Sequence, residues 1–221
     1  MNTQVSTSET NGLALLTDDD LSVYSIGIST GGSAEIKMAQ QNPKRHIVAT
    51  TIDTKGVTSA IEQVKAAGLS DQIEVKIEDV SEPLPYADGV FDYMYARLVL
   101  HYLPKQKLSS TLKELHRVVK PGGKLFVVVR SAECFDAKRP EATLDPETNL
   151  TSATVLDEWK GTPYTYSRYF HTKDSISKAV EAAGFAITYV KQYDEQLFMD
   201  FQRQLQAFQT DNVIELLAVK G

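Results

Sequence analysis

The sequence predicts an α/β domain, a mostly parallel sheet covered by helices on both faces. Three observations carry that prediction. Short β-branched runs alternate with helical stretches from Leu21 onward, the order that builds strand–helix–strand units. The first run, Leu21 to Ile28, passes through Gly27-Ile28-Ser29-Thr30-Gly31-Gly32 into a helical stretch. The second run is closed by Asp53 and the third by Glu78-Asp79, and a doubly wound sheet carries such strand ends to its ligand-binding edge.

The elements follow in order. Residues 1–20 are polar, end in Asp18-Asp19-Asp20 and are expected to form a flexible lead-in to a single domain spanning 21–221. After the glycine turn, Ser33 to Gln41 has helical character and Pro43 stops it. His46 to Ile52 is a second buried strand. Thr58 to Ala67 is helical, with Gly68 as its C-cap. Ile73 to Ile77 and Val90 to Ala96 are the third and fourth strands. Leu108, Leu112, Leu115 and Val119 form one stripe of an amphipathic helix from Lys105 to Val119. Pro121-Gly122-Gly123 ends that helix and opens a fifth strand, Lys124 to Val129. Ser131 to Phe170 is less regular and rich in aromatic residues. Thr172 to Ala183 is a helix with Thr172 as N-cap and Gly184 as closure. Two strands complete the chain, Phe185 to Tyr193 and Asn212 to Val219, with Asp194 to Asp211 read as strand extension and loop.

Composition narrows the function. With 23 basic and 29 acidic residues the net charge is −6, the wrong sign for displacing counterions from a nucleic acid. A small neutral or cationic substrate fits this charge better. Cys134 is alone, so neither an intrachain disulfide nor a thiolate-rich zinc site can form, and the four histidines lack metal-ligand spacing. No apolar run approaches the roughly 20 residues that span a bilayer. The N-terminus lacks the charged start and apolar core of a signal peptide. The expectation is a cytoplasmic monomer or homodimer with a small-molecule substrate, no nucleic-acid or membrane partner, and no metal.

A buried strand, a glycine turn and a helix N-terminus aim backbone N–H groups and a positive dipole end at a ligand. Gly27 to Gly32 aligns with G-x-G-x-x-G except for Ser29, and equally with an acidic-x-G-x-G-x-G pattern that here has Ser25 and Ser29. A ligand-free strand-to-helix turn is the competing reading. Asp53, beside that turn, could accept both hydroxyls of a ribose. Nicotinamide and S-adenosylmethionine sites share that feature.

The downstream segments separate the two. Glu78-Asp79 through Leu84-Pro85-Tyr86 to Phe91-Asp92, the stretch Arg97 to Pro104, and Leu115 to Leu125 with its Pro-Gly-Gly resemble, in order, the class I S-adenosylmethionine-dependent methyltransferases of the small-molecule type. Tyr169-Phe170-His171 before a helix and Ala182-Ala183-Gly184-Phe185 also match, so the resemblance runs from Val23 to Lys220. It implies a Rossmann-like, three-layer α/β/α fold whose seven-stranded sheet has an antiparallel last strand beside the sixth. It implies S-adenosylmethionine as cofactor and a methyl group moved to a small-molecule acceptor. It places Gly27, Ile28, Ser29 and Gly31 against the methionine portion, Asp53 on the ribose, Asp79 on the adenine amino group with Val80 on the ring, and Arg97 and Leu98 as a wall of the methionine site. Asp79 could instead cap a turn, and Arg97 could instead pair with an acid at the sheet edge. His101 and His171 are the candidates for catalysis, His101 with a second reading as a packing residue, and Tyr169, Arg130 and Tyr164 could also face an acceptor. Residues 131–170 would shape substrate access.

Two departures bear on activity. The family pattern has an acid where Ser25 stands and glycine where Ser29 stands. A serine forced to positive φ would store about 1–3 kcal/mol of strain. A methyltransferase-fold binding or regulatory protein with little turnover is therefore the alternative function. A nicotinamide-dependent oxidoreductase is disfavoured by the Pro-Gly-Gly block and the terminal strand pair.

Overall fold

The computed structural model describes residues 6–29, 31–156, 161–197 and 210–221. Five parallel strands form its centre: β1 (Ser22–Ile26), β2 (His46–Thr51), β3 (Ile73–Ile77), β4 (Phe91–Arg97) and β5 (Val119–Arg130). The later strands β6 (Thr143–Leu144), β7 (Thr151–Leu156) and β8 (Pro163–Arg168) lie apart, while β9 (Phe185–Glu195) and β10 (Asp211–Lys220) rejoin the main sheet. Its order is β3-β2-β1-β4-β5-β10-β9. β10 runs antiparallel to both β5 and β9. The seven-stranded, mostly parallel sheet with an antiparallel last strand is therefore observed.

The helices are α1 (Thr7–Ala14), α2 (Ser33–Gln41), α3 (Thr54–Ala66), α4 (Lys105–Val118) and α5 (Lys173–Ala182). The strands feed two cores by simple alternation. Tyr93, Tyr95, Phe126 and Val128 point to the face covered by α1, α2 and α3. Met94, Ala96, Leu125, Val127 and Val129 point to the face covered by α4 and α5. Burial on both faces explains why the central strands read as continuous apolar runs. Thr172 caps α5 as expected, in a reciprocal pair with Ser175.

Three expectations are corrected. The lead-in is not flexible over 7–14, because α1 docks on the sheet. Its buried face is Ser8, Glu9, Gly12 and Leu13, too polar and too small to register as amphipathic periodicity. Gly12 permits the approach: a Cβ there would lie 2.6 Å from the Tyr95 ring and 2.7 Å from that of Phe126. Arg45, 1% exposed, pins the stretch that follows by donating to the carbonyls of Thr17, Asp20 and Met38. The Pro-Gly-Gly block does not precede the fifth strand but lies inside it, where the register against β4 shifts. Residues 131–170 are more regular than expected. β6, β7 and β8 form a separate antiparallel sheet, tied by hydroxyl pairs Ser152–Ser167 and Thr154–Thr165. Strand β9 continues to Glu195, and the expected loop at 198–209 lies outside the described residues.

Candidate functional site

The carboxyl ends of β1, β2, β3 and β4 surround a pocket of about 340 Å³, within the range of small-molecule sites. Ile26 and Gly27 form its floor. Thr50, Thr51 and Ile52 come from the end of β2, and Glu78, Asp79 and Val80 from the end of β3. Leu98, Val99, Tyr102 and Leu103, following β4, close the opposite wall.

Backbone geometry at two points creates this space. Gly27 has φ +82°, and a Cβ there would stand 3.0 Å from Val99 Cγ2. Only glycine meets both demands without strain. Opposite it, Leu98 has φ +57°, a conformation that costs an L-residue about 1–2 kcal/mol. Its N–H donates to the Val128 carbonyl (2.8 Å), so the neighbouring strand helps hold the turn that presses Val99 against Gly27. Ser29 is not among the positive-φ residues. The strain expected there does not arise.

The carboxylate at the heart of the pocket is Glu78. Its two oxygens accept from the hydroxyls of Tyr24 (2.5 Å) and Tyr86 (2.9 Å). Burial, reinforced by Glu78, pushes both phenols above their usual range, so they remain donors. Asp79 lines the pocket while its Oδ1 accepts from the Ser81 N–H (2.9 Å), so it does cap a turn. Asp53 stands just outside the lining as N-cap of α3, accepting from the Lys55 N–H (3.0 Å).

The glycine turn is partly committed to the fold. The N–H groups of Gly27 and Ile28 both donate to the Thr50 carbonyl at 2.8 Å, and that of Gly32 to Ser29. The Ile28 side chain is buried in the core beside α2. Neither Ile28, Ser29 nor Gly31 lines the pocket, so Gly27 alone of those four turn residues faces it.

Arg97 is a clear correction. It does not wall the pocket. Its Nε donates to Ser8 Oγ (2.7 Å) and its Nη2 to Ser6 Oγ (2.6 Å), and Glu195 lies 3.5 Å away. Glu195 in turn accepts from both the N–H and the hydroxyl of Ser8, capping the start of α1. The pairing reading of Arg97 is right, although its partner comes from β9 and is 98 positions away in sequence.

Sequence reasoning also missed Glu35. The family's acid is replaced by Ser25, whose Oγ donates to Glu35 Oε1 (2.5 Å), and the carboxylate is 3% exposed. A buried carboxylate thus reaches the same strand end from α2. The available signal was a glutamate within the apolar face formed by Ala34 and Met38.

His101 and His171 are both fully buried. Burial, followed by the charges of Arg130 and Arg168 and by His171, holds His101 well below the ordinary imidazole value. Burial pushes His171 down to about 3. Both rings are therefore neutral at pH 7. Arg130 pairs with Asp136 and Asp211, and the Tyr169 ring packs 4.0 Å from that of His171. Tyr164 accepts from Arg168 (2.9 Å). Cys134 is buried and its thiol is pushed up to about 11, which removes it as a nucleophile at neutral pH.

A family model described as a methyltransferase domain matches residues 25–127. That stretch, just under half of the chain, is similar to the class I S-adenosylmethionine-dependent methyltransferases. The cofactor of this family is S-adenosylmethionine, and the pocket at the carboxyl edge, with Gly27 as its cradle and carboxylates at the strand ends, suits an adenosine-bearing ligand. The 27-O-demethylrifamycin SV methyltransferase of Amycolatopsis mediterranei is 26% identical, over 74% of this chain and 67% of that one. A sterol 4-C-methyltransferase of Caenorhabditis elegans is 40% identical over 60 residues, which is 27% of this chain and 17% of the relative. The chain thus spans only part of the curated relatives it matches. Among solved structures, a methyltransferase of Methanosarcina mazei superposes with TM-score 0.72 at 20% identity, covering 94% and 95% of the two chains. Among the described residues no helix is long and apolar enough to cross a membrane.

Proposed function

We propose that this protein transfers the methyl group of S-adenosylmethionine to a small-molecule acceptor. The observation that carries this is the pocket built on Gly27, Glu78, Asp79 and Val80 at the carboxyl ends of the parallel strands, in a chain similar to this family. When bound, the cofactor supplies a sulfonium methyl open to in-line displacement. The protein's task is alignment, which can contribute roughly 7–11 kcal/mol of barrier lowering.

Gly27 is the point of close approach for the methionine portion, with Leu98 as its wall. Asp79 accepts from the adenine amino group and Val80 packs on the ring. Glu78 lines the pocket and Asp53 stands beside it at the end of the second strand, and Asp53 is assigned the ribose contact. The protein works in the cytoplasm as a monomer or homodimer, without a nucleic-acid partner, in keeping with its net charge of −6.

Calorimetric titration with S-adenosylhomocysteine and with NAD tests this reading. Binding of the sulfur compound and none of NAD is expected. A ligand at 100 times its dissociation constant should add about 2.7 kcal/mol of stability. No heat and no thermal shift with S-adenosylhomocysteine at millimolar concentration would exclude the assignment.

A further inference from the structure

We propose that His101, His171 and Arg168 form the acceptor subsite, and that it takes a hydroxyl-bearing nucleophile, a phenol or an enol, rather than an amine. This rests on the methyltransferase reading above.

Among the described residues, five buried side-chain nitrogen or oxygen atoms lack a hydrogen-bond partner. Four belong to these three residues: both ring nitrogens of His101, Nε2 of His171 and Nε of Arg168. Buried polar atoms are nearly always satisfied, so four in one place mark a position where a polar group is received. They are in one place. The Tyr169 N–H donates to the His101 carbonyl (2.7 Å), and the His171 N–H to the Arg130 carbonyl (3.0 Å). The Arg168 guanidinium lies 5.8 Å from the Tyr102 ring, which lies 4.5 Å from the ring of His101. His101 does not itself line the cofactor pocket, but its chain neighbours Val99, Tyr102 and Leu103 do, which sets the cluster directly behind that wall.

The chemistry of the cluster selects the acceptor. Arg168 is held by Asp136 (2.7 Å) through Nη1 and by Tyr164 (2.9 Å) through Nη2, so Nε is the donor that remains. A neutral imidazole offers one bare nitrogen as acceptor and one N–H as donor. A hydroxyl can donate to the first and accept from the others. An ammonium can only donate, so it would leave the Arg168 Nε–H and the imidazole N–H groups without an acceptor. In the transfer the carbon–sulfur bond breaks with its electron pair returning to sulfur, and an oxygen–carbon bond forms. The hydroxyl proton passes to His101, so the positive charge lost by sulfur resides on the imidazolium until that proton leaves for solvent.

Protein labelled with 15N-histidine and saturated with S-adenosylhomocysteine tests the subsite, with phenol and benzylamine as probes. Phenol is expected to shift the imidazole nitrogens of His101 and His171, and benzylamine to leave them in place. His101→Phe should weaken phenol binding at least tenfold and keep S-adenosylhomocysteine affinity within about twofold, whereas His101→Gln should recover part of the loss. If His101→Phe fails to fold, Arg168→Lys should show the same tenfold loss. Imidazole signals unmoved by phenol, or moved equally by benzylamine, would overturn the proposal, as would phenol affinity unchanged in the variants. Failure of the wild-type protein to bind S-adenosylhomocysteine is a separate result that removes the methyltransferase reading and this proposal with it.

Discussion

The two halves of the sheet's carboxyl edge are built on different principles. On one side, the ends of β1, β2 and β3 bring together residues from a single run of sequence, Gly27 to Val80, through backbone turns and strand-end carboxylates. On the other, β4, β5 and β9 meet α1 and the small β6–β8 sheet. Their polar side chains come from positions 6 to 211. The first half depends on backbone conformation and tolerates surface charge changes. The second depends on buried ion pairs and hydrogen bonds, whose partial loss leaves uncompensated groups in a dry interior.

That contrast can be broken most forcefully at Glu195. Its carboxylate is fully buried, caps α1 through Ser8 and faces Arg97. Glu195→Ala should destabilise the protein by about 3–5 kcal/mol, the usual consequence of removing one partner of a buried pair, as read by urea denaturation. A loss under 1 kcal/mol would show that α1 is not held this way.

Acid should act next, through the far half. His101 and His171 have folded-state values below the ordinary imidazole value near 6.5, so below that pH the unfolded chain binds protons that the folded protein refuses. Stability from these groups is present above pH 6.5 and is lost as pH falls. Between pH 7 and pH 5, each histidine should remove about 2 kcal/mol. Stability curves of His171→Gln should be correspondingly flatter over that range, and parallel curves would refute the assignment.

Gly27→Ala attacks the near half. The positive φ and the contact with Val99 predict a cost of about 1–3 kcal/mol and at least a tenfold loss of S-adenosylhomocysteine affinity by calorimetry. Asp53→Asn is milder. Asparagine is as good an N-cap as aspartate, so α3 should keep its stability. The lost ribose contact should weaken S-adenosylhomocysteine about tenfold, or about 1.4 kcal/mol. Unchanged affinity would move the ribose to Glu78. Ser29→Gly should do least, within about twofold, because Ser29 does not adopt positive φ. A marked tightening would mean that the serine obstructs the cofactor after all.

Much of the first half was legible because its determinants are local. A glycine that needs positive φ and an acid that ends a strand both mark the sequence at the position where they act. The family pattern located Asp79 and Val80 in the pocket by the same logic. Glu78 was passed over because its importance comes from Tyr24, 54 residues away, and from Tyr86. Arg97 was misplaced for a similar reason: nothing near it in sequence indicates Glu195. The small β6–β8 sheet escaped because its period is short, only Ala153 and Val155 opposite Tyr166 and Tyr164.

By itself the sequence determined the layer architecture, which follows from hydrophobic alternation and turn residues, and carried, in the order of its motifs, the family resemblance that implied the strand that reverses. It also located the glycine turn whose Gly27 lines the pocket. Only the tertiary structure decided that Glu78 joins Asp79 in the pocket lining, that Glu35 reaches the strand end where Ser25 stands, and that an N-terminal helix closes over Arg97. These depend on side chains brought together across the sheet. Burial then fixes their charge and partners, and burial is a property of the fold as a whole, one that no local stretch of residues displays.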